Sequence, residues 1–340
     1  MKKISLFSIL FLAILFQKCA VSKSKTNSQT EVYPIIKYTD SICYSRGITV
    51  KNNFIYTANS NGKIYKYNLR STKFKELNKD TKLEELRDIA IVNKFIYGLQ
   101  SGTTGKLIEI SPKGVTRIIE YDFWKGVFLD GMDFHNNTGF IMGDPVDNKF
   151  SLFYSKDAGK SWEKCEGVLF ADKGEAGYAA SGSNVQVLND STFIFISGGN
   201  TNRFFKSTDY GKTWGYSVIP FNSGEGIGAF SVCFKNENEA VAVGGDYQRP
   251  KISDKSAFYT LDGGQNWEGS FSGLTGYKSC VYYKNGIFYS CGTSGLDYSK
   301  DGGQNWFPLI KGNFFTMTSD NEFLYLTAPK STVQKIKLIQ

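Results

Sequence analysis

Four stretches of this chain are copies of one another. SKDAGKSW (155–162), STDYGKTW (207–214), TLDGGQNW (260–267) and SKDGGQNW (299–306) each carry a hydroxyl at the first position, Asp at the third, Gly at the fifth and Trp at the eighth. Their tryptophans are 52, 53 and 39 residues apart. A period of that size with strand-like sequence between the copies is the mark of a chain built from one supersecondary unit laid down repeatedly.

The residues around each copy define the unit. Ahead of the last copy stands KSCVYYKNGIFYSCG (278–292), then LDYS; after it comes WFPLI. Ahead of the first stands GMDFHNNTGFIMGD (131–144), then FSLFYS; after it comes WEKCEG. Each reads strand, turn, strand, loop, strand, eight-residue loop, short strand, which is a four-stranded antiparallel meander. The same grammar without the loop runs over 46–77 and 86–119, and three strands of it over 314–339. VYPIIKY (32–38) supplies the missing outer strand of that last unit, so that the two ends of the chain mate and leave no open edge. The expected fold is an all-β propeller of seven four-stranded antiparallel blades over 32–340, with six or eight as the alternatives. With 35 glycines, 7 prolines and 15% aromatic residues, the composition suits many short strands joined by tight turns.

The repeated loop explains itself through folding. Its Asp can accept hydrogen bonds from N–H groups of its own turn. The glycines Gly159, Gly211, Gly264 and Gly303 stand where a positive φ is needed. The opening hydroxyl can cap the turn, and the Trp can pack flat between blades. One Asp per loop supplies too few oxygens for Ca²⁺, so no metal is expected.

S/T-x-D-x-G-x-x-W resembles the Asp-box, or BNR, motif of sialidase-like propellers, by motif over 130–310 and by blade grammar elsewhere. In that family the motif lies between third and fourth strands, away from the ligand face. The resemblance therefore implies structural roles for Asp157, Trp162, Asp209, Trp214, Asp262, Trp267, Asp301 and Trp306. The whole pattern resembles the photosystem II stability/assembly-factor-like branch, whose members assist protein assembly and also occur in exported bacterial proteins. That implies a non-enzymatic scaffold presenting one face to a protein or glycan.

In a propeller the ligand face is built by the mouth-side starts of the innermost strands and by the loops joining second to third strands. The units put Arg46, Arg87, Asp130, Ser181, Glu225 and Lys278 at those starts. The loops GDPVDN (143–148), SGGNTN (197–202) and GGDYQRP (244–250) add Asp144, Asn200, Asp246 and Arg249. Arg46, Arg87 and Lys278 would form a cationic sector facing Asp130 and Glu225, suited to a carboxylate or a polar partner loop. The alternative is a ring of salt bridges holding blades together. A sialidase-type glycosidase would need an arginine cluster, a Tyr nucleophile assisted by Glu and an Asp acid/base. Tyr178 with Glu175 and Glu225 is the nearest approach, but Arg46-Gly-Ile lacks the proline of the Arg-Ile-Pro segment. A carbohydrate-binding module is the third reading, with Tyr247 or Trp124 stacking on sugars; for Trp124 the competing role is filling a gap between blades. No catalytic set is assigned, and no nucleotide or haem fingerprint calls for a cofactor.

The first 18 residues read as a signal peptide: Lys2 and Lys3, then an apolar run of 13 from Ile4 to Phe16. An apolar run ending at Cys19 resembles a bacterial lipoprotein signal, which implies lipidation of Cys19. Lys18 stands where that pattern has a small residue, so an ordinary secretory signal remains the alternative. Residues 20–31, AVSKSKTNSQTE, read as a tether. The expected location is the bacterial periplasm or the outer membrane, reached through the lipid anchor. Without Lys2, Lys3 and Lys18 the formal charge of +8 falls to +5, and no basic stripe points to nucleic acid. The expected state is a monomer with a protein or glycan partner at the mouth. Five cysteines remain beyond Cys19, an odd count that is no disulfide framework. Asn285-Gly286 reads as a two-residue hairpin turn that sets Cys280 opposite Cys291, as two buried thiols or a strained disulfide.

Overall fold

The computed structural model describes residues 31–339. The signal peptide, Cys19 and all of the tether before Glu31 lie outside the described residues. The chain forms seven four-stranded antiparallel blades. Their innermost strands are Ser45–Lys51, Leu86–Val92, Leu129–His135, Val185–Val187, Ile227–Phe234, Cys280–Lys284 and Met317–Ser319. Each lies beside the next around the ring, and Met317–Ser319 lies beside Ser45–Lys51 to close it. The seventh blade continues through Phe323–Ala328 and Thr332–Lys337 and takes its outer strand from the other end of the chain. Ile36 pairs with Val333 and Lys37 with Thr332; Val32 bridges Ile336.

Alternation along the strands buries one side chain set on each side of a blade, and aromatic residues fill the wedge-shaped gaps. Phe140 stacks on Phe193 across blades three and four with ring centroids 4.8 Å apart. Trp124, in the single-turn 3-10 element Asp122–Trp124, is fully buried between blades two and three, so it fills a gap and cannot meet a sugar. Nearer the axis, side chains tie the innermost strands of blades two to six one to the next. Asp88 accepts from the Met132 N–H at 2.8 Å, Asp133 from Val187 N–H at 2.8 Å, Gln186 from Phe234 N–H at 2.9 Å, and Ser231 from Val281 N–H at 2.8 Å. Strands too far apart to pair directly are thereby joined without leaving orphaned donors.

The repeated loops join the third and fourth strands of blades three to six. In the second copy, Asp209 accepts from Lys212 N–H (3.0 Å), Thr213 N–H (2.9 Å) and the Thr213 hydroxyl (2.6 Å). Ser207 donates to the same carboxylate at 2.8 Å and accepts from Gly211 N–H at 2.8 Å. The other three copies repeat this web. Not only the fifth position but also the fourth (Ala158, Tyr210, Gly263, Gly302) takes a positive φ. Trp162, Trp267 and Trp306 are buried and Trp214 is partly so. The hairpin at Asn285-Gly286 pairs Lys284 with Ile287 and Cys280 with Cys291, and both thiols are free and buried.

Candidate functional site: the channel mouth

Antiparallel order puts the starts of the innermost strands and the second-to-third-strand loops at one end of the channel, and the repeated loops at the other. At the first end the pairing registers of four blades slip by one residue, between Ser45 and Gly47, Leu86 and Asp88, Leu129 and Gly131, and Ala229 and Ser231. The skipped residue in each case is Arg46, Arg87, Asp130 or Phe230. A bulge of this kind leaves one residue unpaired and re-aims its side chain.

Arg46 and Arg87, from adjacent blades, reach across the axis to the segment that leads into blade four. Arg46 donates to the Ala180 carbonyl at 3.0 Å and Arg87 to the Ala179 carbonyl at 3.1 Å. Arg87 also pairs with Glu85 at 3.1 Å. The Arg46 guanidinium lies 5.5 Å from the Tyr44 ring centre and 5.6 Å from that of Phe315, and Arg87 lies 5.5 Å from Phe128. Tyr178 stacks on Phe230 with centroids 4.1 Å apart and planes at 12°. Tyr277 meets Phe230 edge-on at 4.8 Å. Tyr178, Phe230, Tyr277, Phe315 and the two guanidiniums, with the half-exposed Tyr247 on the rim, line a cavity of about 340 Å³. Behind this lining both arginine Nε–H groups and one Glu85 oxygen are closed off from solvent without a partner among the described residues. Burial pushes the Tyr178 phenol up to about 12, and its hydroxyl approaches the Ile227 carbonyl at 3.4 Å.

Behind Arg87 sits Asp130, 1% exposed, whose carboxyl oxygens form no well-aligned hydrogen bond among the described residues, although the Ala179 N–H of the segment leading into blade four pulls on them. What it does meet is the carboxyl of Asp144. Burial first, then Asp144, holds Asp130 well above the usual carboxylate range. Burial pushes Asp144 up to about 6, against the pull of the Gly177 N–H at 2.9 Å.

The remaining expected positions fall elsewhere. Lys278 is not at the mouth: it is fully buried beneath blade six, bound to Asp297 (3.0 Å), the Thr275 and Ser294 hydroxyls (2.9 Å each) and the Gly295 carbonyl (3.1 Å). A lysine losing its hydration needs all these partners. Glu225 is exposed and forms no acidic sector, because blade five's inward residue at the mouth is Phe230. Asp246 and Arg249 close on each other at 2.7 Å, and Asp246 also caps its own loop through the Gln248 and Arg249 N–H groups (2.9 Å each). That loop's contribution to the mouth is Tyr247. Ser181 lies deeper in the channel and donates to the Ser279 carbonyl at 2.7 Å. Asn200 is exposed and donates to the Lys173 carbonyl at 3.0 Å. Glu175 is consumed by a buried fork with Arg203, whose Nε lies 2.8 Å away, so it cannot assist Tyr178. The sequence reading missed Phe230. Its signal is the alignment of SRGITV, LRDIAI, LDGMDF and AFSVCF, which sets residue 230 level with 46, 87 and 130.

A family model described as Sortilin-Vps10 (sortilin, neurotensin receptor 3) matches residues 150–289, from the third strand of blade three into blade six and under half the chain. No curated protein matches. Among solved structures, a catalytically inactive virginiamycin B lyase from Staphylococcus aureus with quinupristin superposes with a TM-score of 0.67 and 13% identity, over 91% of this chain and 100% of that one. The WD40 β-propeller domain of Doa1 gives 0.66 at 9% identity, over 92% and 97%. A streptogramin B lyase gives 0.64 at 14%, over 91% and 98%. At such identities the likeness is one of fold.

Proposed function

We propose that this protein is an exported, non-enzymatic binding scaffold, anchored through a lipid on Cys19, whose channel mouth engages a protein or glycan partner. One observation carries the reading: two arginines from neighbouring blades stand in an aromatic-lined cavity with buried N–H groups left unpaired. A buried donor without an acceptor costs about 1–3 kcal/mol. A ligand that draws the guanidiniums outward and brings an acceptor recovers that cost, and the rings supply apolar area for its body.

The hydrogen bonding of the repeated loops supports the finer reading as an Asp-box propeller of the assembly-factor-like branch, with those loops serving the blades. The first described residues run along the outside of blade seven from the repeated-loop end, where Val32 meets Ile336, toward the mouth end, where Lys37 meets Thr332. An anchor preceding them is joined at the far end from the mouth, which leaves the mouth free for a partner. A lyase reading draws less support. The inactive lyase is a substitution at a histidine, whereas the one histidine here, His135, ends the innermost strand of blade three at the repeated-loop end, opposite Thr138.

The test is site-specific photocrosslinking in native membranes, with the crosslinker at position 247 on the rim or at position 160 in a repeated loop. Adducts from 247 alone, lost in the Arg46→Ala/Arg87→Ala double variant, are the expected result. Adducts from both positions alike, unaffected by the arginines, overturn the assignment of the mouth. Glycoside hydrolysis that disappears in Tyr178→Phe overturns the non-enzymatic reading.

A further inference from the structure

Residues 174–181 form a strap between the fourth strand of blade three and the first of blade four, and much of the mouth hangs on it. The Ala179 and Ala180 carbonyls hold Arg87 and Arg46. Tyr178 lies flat on Phe230. The strap is fastened at Gly177, whose N–H donates to Asp144. Nothing larger fits there, since a Cβ on Gly177 would stand 2.6 Å from the Asp130 carboxyl carbon. The fastening is thus a sandwich: Gly177 on one side, and on the other two carboxyls facing each other.

Two carboxylates in contact in a buried site cannot both be ionised; they hold at least one proton between them. The charged and titratable groups around the pair are Arg87 from blade two, itself tied to Glu85, and Tyr178 on the strap, with Glu225 and Tyr247 beyond it. Only Arg87 is cationic. Its guanidinium is already committed to Ala179 and Glu85, which leaves its Nε–H and the Ala179 N–H to answer a second negative charge.

We propose that the Asp130–Asp144 pair is a proton-operated latch that sets whether the strap, and with it the binding mouth, is closed. With the shared proton in place, Asp144 fastens Gly177 and both arginines are held in the cavity. When the proton leaves, two adjacent buried anions repel. Asp130 then draws Arg87 off Ala179, and the strap lifts from the mouth.

The sign follows from linkage. Opening lets the carboxyls reach water and ionise at their ordinary range, near 3.8, whereas burial holds closed Asp144 up to about 6 and closed Asp130 well above the usual carboxylate range. The latch is therefore fully favoured below pH 3.8 and weakens as pH rises past it. A proton released on opening raises the opening constant about tenfold per pH unit until the closed form loses it too, so Asp144 gives roughly tenfold between pH 5 and pH 7, most of it below pH 6.

Hydrogen–deuterium exchange tests this without any ligand. Protection factors of the 177–181 amides, corrected for the intrinsic pH dependence, are compared with those of the blade-six hairpin around Asn285. The expected result is a fall of at least about tenfold between pH 5 and pH 7 in the strap but not in the hairpin. The profile should be flat in Asp144→Asn and in Asp130→Asn, because an amide donates to the remaining carboxylate and removes its need for a proton. A strap whose protection is flat in the wild type, or falls equally in both variants, overturns the latch. The proposal takes its meaning from the mouth being the binding site, but its test is independent. A working latch with no crosslink from position 247 would sink the binding assignment alone, and the converse would sink the latch alone.

Discussion

Removing Lys278 separates a structural from a ligand-binding role for the most buried cation among the described residues. Its ammonium and the Asp297 carboxylate are 3.0 Å apart with side chains 0% and 2% exposed. Asp297 is further held by the Thr275 N–H at 2.7 Å, and Thr275 also bonds Lys278. Lys278→Met keeps the length of the side chain and deletes the charge, leaving a buried carboxylate with one threonine to answer it. Breaking a buried pair on one side costs about 3–5 kcal/mol, whereas replacing both partners with apolar groups of similar volume is near neutral. At roughly 2 °C per kcal/mol for a domain of this size, the single variant should melt about 6–10 °C lower. Lys278→Met/Asp297→Leu should recover most of that loss. Urea titrations of the wild type, both singles and the double give the coupling energy directly. A single variant within 1 kcal/mol of wild type, or a double variant as poor as the sum of the singles, would refute the buried-pair reasoning. So would loss of partner crosslinking from the mouth in a variant that is still folded, since Lys278 reaches no part of the cavity.

Further expectations can be checked on the same material. Asp209 and Asp262, pulled down to about 2 by the hydroxyl, amide and N–H donors of their own turns, contribute stability that is present above their unfolded value of 3.8 and lost as pH falls through about 2. Asp209→Ala should cost about 1–2 kcal/mol in urea at pH 7, and the gap from wild type should close in acid; a constant gap would count against the turn-capping role. Gly182→Ala should be strongly destabilising, because φ is +72° and the new Cβ would lie 2.3 Å from the Asp88 carboxyl carbon that ties blade two to Met132. Gly114→Ala, also at positive φ (+82°) but with open space around it, should cost only about 1 kcal/mol, and equal losses in thermal melts would undo that comparison. Ile36→Pro removes an N–H from the strand that closes blade seven opposite Val333; lower thermal stability together with concentration-dependent association is expected, and unchanged behaviour would mean that the closure contributes little.

Much of the fold could be read from the chain because its determinants are short-range. The repeated loop is a local hydrogen-bond web complete within seven residues, from Ser207 to Thr213 in the second copy. The Asn285-Gly286 turn fixes the pairing of Cys280 with Cys291 by counting alone. The site is legible in blades one to three, where the innermost strand starts one residue before the bulged one. Arg46 and Arg87 were placed at the mouth, and they line it. Reading failed in blades four to six for two physical reasons. An extra two-stranded pairing, Glu175–Ala176 with Gly198–Gly199, lengthens the path into blade four and makes the strap. In blade five the innermost strand starts at Ile227, three residues before its bulge at Phe230, so a count of strand positions from Glu225 does not find it.

The sequence by itself determined the repeat, the strand alternation, the turn chemistry and the closing strand, because each depends on neighbours a few residues apart or on periodicity. Only the tertiary structure decided which charged groups face the channel and which are spent on one another. Lys278 with Asp297, Arg203 with Glu175 and Asp130 with Asp144 are matched across 19, 28 and 14 positions of chain. Charge alone cannot say whether such a group ends in water, in a buried pair or beside a like charge, because desolvation and partner geometry exist only once the blades have packed.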